Sequence, residues 1–138
     1  VSLSLAIAAE LPTLRREAEA LMVDSCTVTR AGVGPGTVNE TTGAVTPPAP
    51  TTVYTGRCRV QVPQAVPSEQ DAGGAPVAVQ PTAVSLPVVG SEGVEVGDVV
   101  TITAATFDAS LVGVTYVVRG LHRKTHATAR RLRVEEAN

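Results

Sequence analysis

The residues of this chain best equipped for chemistry are its cations. Arg119, Arg123, Lys124, Arg130, Arg131 and Arg133 fall within fifteen consecutive positions that hold no acid. Upstream, the six acids between Gln61 and Val118 have no base among them. Ten of the eleven cations are arginine, whose planar fork pairs bidentately with carboxylate or phosphate. Arg131 and Arg133 alternate with Leu132 and Val134, so on a strand they face outward, away from a core. The six bases are therefore candidate interface residues, and a solvated strand face is the plainer reading of the same run.

Other constellations resolve into turns. His122 and His126 in HRKTH would share one face of a helix, as metal ligands do, but the segment reads as strand and turn and has no glutamate of the HExxH kind. No metal is expected. Gly32-Val-Gly-Pro-Gly36 lacks the Lys-Ser/Thr pair that completes a phosphate loop. Gly90-Ser-Glu-Gly93 is one residue short of a nucleophile elbow, with no histidine partner in view. Glu92, Glu95 and Asp98 do not have the spacing of a calcium loop. Cys26 and Cys58 alternate with polar residues in two strand-like runs and are expected as neighbours in the core, as reduced thiols or as a disulfide. No catalytic residue, cofactor or enzymatic activity is expected.

The elements that must position these residues are strands. Val100, Ile102 and Ala104 alternate with Thr101 and Thr103. The same period of two returns in Val114, Tyr116 and Val118, and again around Leu132 and Val134, which predicts a three-strand meander from Val94 to Val134. Earlier strands are expected at Ser25 to Arg30, at Val53 to Val62 and at Thr82 to Val89, with Pro87 as an edge or an end. Thr37 to Val45 has a turn centre between two valines and predicts a small excursion hairpin. Pro63 to Pro81, with four prolines, a Gly-Gly pair and no large side chain, is expected as a long inserted loop, with a short strand near Val77 to Val79.

One helix is expected between Ser4 and Met22. Leu11, Leu14, Ala18, Leu21 and Met22 fall near one face, and Pro12 fits a first turn, so the firm helix should begin near Leu11. Leu3, Leu5 and Ile7 are then a separate turn or a contact arm. The helix either caps an open barrel end or wedges between subunits.

With 138 residues the chain fits one domain that is mainly β: a small antiparallel β-barrel or sandwich with one N-terminal α-helix and a long inserted loop. Residues 1–24 make the arm and helix, 25–62 and 82–138 the barrel, and 63–81 the loop. The core is expected to be thin, because Phe107, Tyr54 and Tyr116 are the only aromatics. Marginal stability as a monomer, and help from neighbouring copies, follow. The net charge of −2 and the lack of rings for base stacking argue against a dedicated nucleic-acid binder. No apolar run reaches the ~20 residues of a membrane span. The opening VSLSLAIAAELP lacks the basic segment of a signal peptide, so a soluble cytosolic product without its initiator Met is expected.

In order, the chain runs LPTLRREAEALM, DSCTVTR, TTGAVT, VYTGRCRVQ, a Pro/Gly-rich segment, GVEVGDVVTITAA, DASLVGVTYVVRGL and TARRLRVEE. This order resembles the small head-to-tail connector proteins of long-tailed bacteriophages, in particular the head-closure or stopper group of actinobacterial phages. The resemblance implies a structural virion protein of the neck, made in the host cytoplasm and assembled as a homo-oligomeric ring, commonly a dodecamer. It implies an adaptor or portal protein on the head side and a tail terminator or tail tube protein on the tail side. Non-specific contact with genomic DNA is implied as well, and no membrane. In related stoppers a long loop closes the channel, so the matching residues here are Gln64, Ser68, Gln70, Ala72, Gly73, Gly74 and Ala75. A tail terminator, an adaptor or an oligonucleotide-binding barrel are the other classes open to such a chain.

Overall fold

The computed structural model describes residues 3–62, 69–72, 75–78 and 82–137, the two short middle pieces by their backbone alone. In chain order the elements are α1 (Leu3–Ala20), β1 (Asp24–Arg30), β2 (Thr37–Val38), β3 (Val45–Thr46), β4 (Thr51–Gln61), β5 (Glu69–Ala72), β6 (Ala75–Ala78), β7 (Thr82–Leu86), β8 (Val99–Ala104), β9 (Thr115–His122) and β10 (Arg130–Ala137). Six of the strands close into an antiparallel barrel in the order β1-β4-β7-β10-β9-β8. The expected meander is β8, β9 and β10, and closure comes from β8 pairing with β1 while β10 pairs with β7. Of the two architectures open to the alternating pattern, the barrel is the one formed, and it leaves no free edge in the main sheet.

Period two explains the core. Cys26, Val28, Cys58, Val84, Leu86, Val100, Ile102, Val118 and Leu132 are fully buried, with Val94, Tyr116 and Val134 nearly so. Cys26 lies opposite Ile102 and Val28 opposite Val100 where the barrel closes. Barrel diameter grows with strand number, so six strands enclose a narrow interior that medium side chains fill. The scarcity of aromatics thus suits this lumen. Register shifts at Ser25/Cys26, Val28/Thr29 and Arg133/Val134 mark bulges, which add the local coiling that closure needs. At Gly56 (φ +154°) a Cβ would stand 2.8 Å from the Tyr54 hydroxyl. Glycine there lets the Tyr54 ring fold back and donate to the Arg57 carbonyl at 2.7 Å.

Two arginines fix the long β7–β8 connection. Arg30 grips Asp98 with a two-pronged contact, 2.9 Å to Oδ1 and 3.0 Å to Oδ2, and donates to the Gly93 carbonyl at 2.8 Å. Asp98 is only 2% exposed and also accepts the Glu95 N–H. The carboxylate that sequence reading set beside Glu92 and Glu95 is therefore an internal staple. Arg130 holds the other end, donating to Ser91 Oγ at 2.8 Å and to the Val88 carbonyl at 3.3 Å, while Ser91 donates to the Pro87 carbonyl. Pro87 ends β7 rather than marking an edge, since β7 is paired on both sides.

The helix departs from expectation. It runs unbroken from Leu3 to Ala20 with Pro12 inside it, so Leu3, Leu5 and Ile7 belong to it and the start near Leu11 is corrected. Pro12 faces solvent, and the Ala- and Leu-rich turns before it are strong helix formers that carry the helix across the missing N–H. No residue of α1 is buried. Ile7, Leu11, Arg15, Ala18 and Glu19 form a half-buried line, whereas Leu3 is 76% and Leu14 43% exposed. The helix does not seal the barrel with its leucines. Arg15 attaches it instead, donating to the Ala127 carbonyl at 3.1 Å in the β9–β10 turn.

The excursion hairpin is present as β2–β3, Thr37 opposite Thr46 and Val38 opposite Val45. The segment expected as a long loop contains a second hairpin, β5–β6, with Ala72 opposite Ala75 and Gln70 opposite Val77. Neither hairpin joins the barrel sheet.

Candidate functional site

The barrel register sorts the cations. Arg59 on β4 lies opposite Ser85 on β7, and Ser85 lies opposite Arg131 on β10, which in turn lies opposite His122 on β9. One step along, Gln61, Ala83, Arg133 and Gly120 form the parallel row. Val60, Val84 and Leu132 point inward between them, so both rows stand on the outer wall. Arg57 continues the β4 side, opposite Ser25. The wall thus has arginines on β4 and β10, flanking two small residues of β7, Ala83 and Ser85, that are themselves buried. Gln61 Nε2 donates to Ser85 Oγ at 3.0 Å.

Arg57, Arg59, Arg131 and Arg133 are exposed, and among the described residues none has an ion-pair partner or donates a side-chain hydrogen bond. Glu135, further along β10, is held by Arg119 at 3.1 Å. The six bases expected as one interface therefore divide. Arg131 and Arg133 stand on the wall, and Arg119 is paired at its margin. Arg123 and Lys124 are exposed in the β9–β10 turn. Arg130 is a correction: it is half-buried and engaged with Ser91 and Val88, because its place at the start of β10 turns it toward the β7–β8 connection. Arg57 and Arg59 were missed as site residues. Their signal was the alternation Arg57-Cys58-Arg59-Val60, whose importance depends on β4 and β10 flanking the same strand.

Of the expected channel residues, Gln70 and Ala72 lie on β5 and Ala75 on β6. Gln64, Ser68, Gly73 and Gly74 lie outside the described residues. His122 and His126 are both exposed, and among the described residues no group of three or more His, Cys, Asp or Glu is placed to hold a metal ion. Cys26 and Cys58 are free thiols with no exposure. The hydrogen bond with Cys26, and then burial, push the Cys58 thiol well above its ordinary value. Burial and the two nearby thiols push the Tyr54 hydroxyl up to about 12. A buried thiol with a raised value suits packing rather than nucleophilic work at Cys58.

A depression opens between the end of α1 and the turn before β9, lined by the apolar Leu21, Val23, Val60, Phe107 and Leu111 and by the charged Asp24, Arg59 and Asp108. Phe107 is 86% exposed and Leu21 55%. Among the described residues no helix is long and apolar enough to cross a membrane.

The fold and site define a small closed β-barrel protein with arginines on its outer wall, a largely exposed helix and two hairpins outside the barrel sheet. Residues 14–135 match a family of unknown function, DUF6093, and the chain belongs to that family. No curated protein and no solved structure matches it.

Proposed function

We propose that this protein is a structural virion protein of a long-tailed bacteriophage. In this reading it is made in the host cytoplasm and assembles as a ring in the neck, where it is the stopper that closes the DNA channel and joins head to tail. Its partners are further copies of itself, an adaptor or portal protein on the head side, and a terminator or tube protein on the tail side. The observation that carries this reading is the β5–β6 hairpin, inserted between the adjacent barrel strands β4 and β7 yet paired with neither. A lone two-stranded hairpin is marginal in water and needs other surfaces to hold it. In a ring, the copies of this segment supply those surfaces to one another. The depression around Leu21 and Phe107 favours the same conclusion, since an open apolar surface at a helix end suits an intersubunit contact. A ring needs two different, complementary patches on each copy. The depression and the exposed turns of α1 supply such a pair.

The test is to delete the coding sequence from the phage or prophage that carries it. Heads that lose their DNA, beside complete free tails, are expected, and addition of the purified protein restores joining. DNA-filled heads beside tails of uncontrolled length would instead identify a tail terminator. Normal tailed particles would refute a neck role of either kind.

A further inference from the structure

We propose that Cys26 and Cys58 form an oxidisable dithiol, which a small disulfide such as oxidised glutathione converts into a covalent staple between β1 and β4, and that the Tyr54 ring is its cover. The pair is placed by register. Cys58 lies opposite Asp24 and Cys26 opposite Gly56, so the two cysteines are diagonal neighbours on the inner face of one strand pair. They are the only cysteines of the chain. Both are free thiols with no exposure, and one is hydrogen-bonded to the other.

The cover is built from the same two strands. A Cβ at Gly56 would stand 2.8 Å from the Tyr54 hydroxyl, so the ring folds back over the residue opposite Cys26. Its hydroxyl donates to the carbonyl of Arg57, the neighbour of Cys58. That hydroxyl is raised first by burial and then by the two thiols, which puts it beside them. Tyr54 packs against the core yet is only half-buried, so its ring stands between the thiols and solvent.

Diagonal neighbours sit at the outer limit of disulfide reach, about 7 Å between Cα atoms, so the bond needs a small shift of β1. The strand is fit to make it. Its register slips against β8 at Ser25/Cys26 and against β4 at Val28/Thr29, and such bulges interrupt the ladder locally. In the closed barrel the Cys58 thiol is held protonated by its hydrogen bond and its burial, so reaction waits for an opening of β1 from β4. One protein thiolate then attacks the oxidant's S–S bond and releases a first reduced thiol. The other protein thiolate attacks the protein sulfur of that mixed disulfide and releases the second. The protein loses two electrons and two protons, and the oxidant leaves as two thiols.

The inference rests on the connector reading only for its setting, a chain folded in a reducing cytoplasm and stapled after release from the cell. The chemistry is a property of the free protein. The natural chain is held in native buffer with oxidised glutathione and followed by intact mass. It should lose two hydrogens, keep no glutathione, form no covalent dimer and cease to react with maleimide in urea. Its melting temperature should rise by about 5–15 °C, and dithiothreitol should reverse the rise. Cys26→Ser should show neither the mass loss nor the rise. Tyr54→Ala should close the bond roughly tenfold faster or more, since access limits exchange. Leu14→Ala, on the exposed helix, should keep the natural rate. A natural chain that retains both thiols, holds a stable glutathione adduct or forms covalent dimers would overturn the dithiol. An unchanged rate in Tyr54→Ala would overturn the cover. A bond that closes in the free protein, in a phage whose deletion still joins heads to tails, would sustain this inference and refute the connector reading. Thiols that never close, in a phage whose deletion leaves emptied heads beside free tails, would do the reverse.

Discussion

Leu132→Ala tests the barrel core most sharply. Leu132 is fully buried, between Val84 on β7 and Leu121 on β9. Truncating a buried leucine costs about 2–5 kcal/mol, the larger losses arising where neighbours do not collapse into the cavity. Here the lining is mostly Val, Cys and Ile on strands hydrogen-bonded around a closed ring, and such a ring contracts little. The expected loss is therefore in the upper half of that range, roughly 3–5 kcal/mol. A domain of this size has a total stability of about 5–15 kcal/mol, so the melting temperature should drop by ~10–20 °C. Urea unfolding followed by far-ultraviolet circular dichroism, at one protomer concentration throughout, measures the change. Leu14→Ala is the paired control, because sequence periodicity places Leu14 with the core while the structure leaves it 43% exposed. It should shift stability by less than about 0.5 kcal/mol. A loss below about 1.5 kcal/mol for Leu132→Ala, or a comparable loss for Leu14→Ala, would refute this account of the core.

Cys26 and Cys58 should resist alkylation by a small maleimide in the native protein and react at once in urea; fast native labelling of both would contradict their inward register. Tyr54 and Cys58 both have folded values raised above their unfolded ones, so the stability they contribute is whole below about pH 8.5 and is lost as pH climbs through the folded values. Denaturant midpoints should accordingly fall from about pH 9 upward, and Tyr54→Phe should flatten the part of that fall between about pH 10 and 12. Replacing residues 64–80 with a short Gly-Ser turn should leave the barrel folded and able to join the head. Tailless heads should then leak DNA, measured as nuclease-accessible genome, and full retention would show that this segment is not the gate.

Much of the barrel was legible because its signal is local. Each strand announces itself by period two, and glycines, prolines and aspartates mark the ends. What period two does not carry is which strands become neighbours. Arg57 and Arg59 looked like the solvent face of an isolated strand, and only the pairing of β7 with both β4 and β10 joins them to Arg131 and Arg133. Arg130 misled for the converse reason. A run of bases suggests a shared exposure, but Ser91 and Val88, some forty residues away in sequence, were waiting for that guanidinium. The helix erred through Pro12, where a local rule about the first turn gave way to strong helix formers on either side. Leu14 and Leu21 also read as part of one apolar face, yet they are 43% and 55% exposed.

The central claim is that this barrel stands between head and tail. The most direct measurement is gold labelling of the protein, through a small C-terminal epitope, on DNA-filled tailless heads and on complete virions. The account predicts label at the single portal vertex of the heads and at the neck of the virions. Label along the tail, at its tip or over the capsid surface would contradict it.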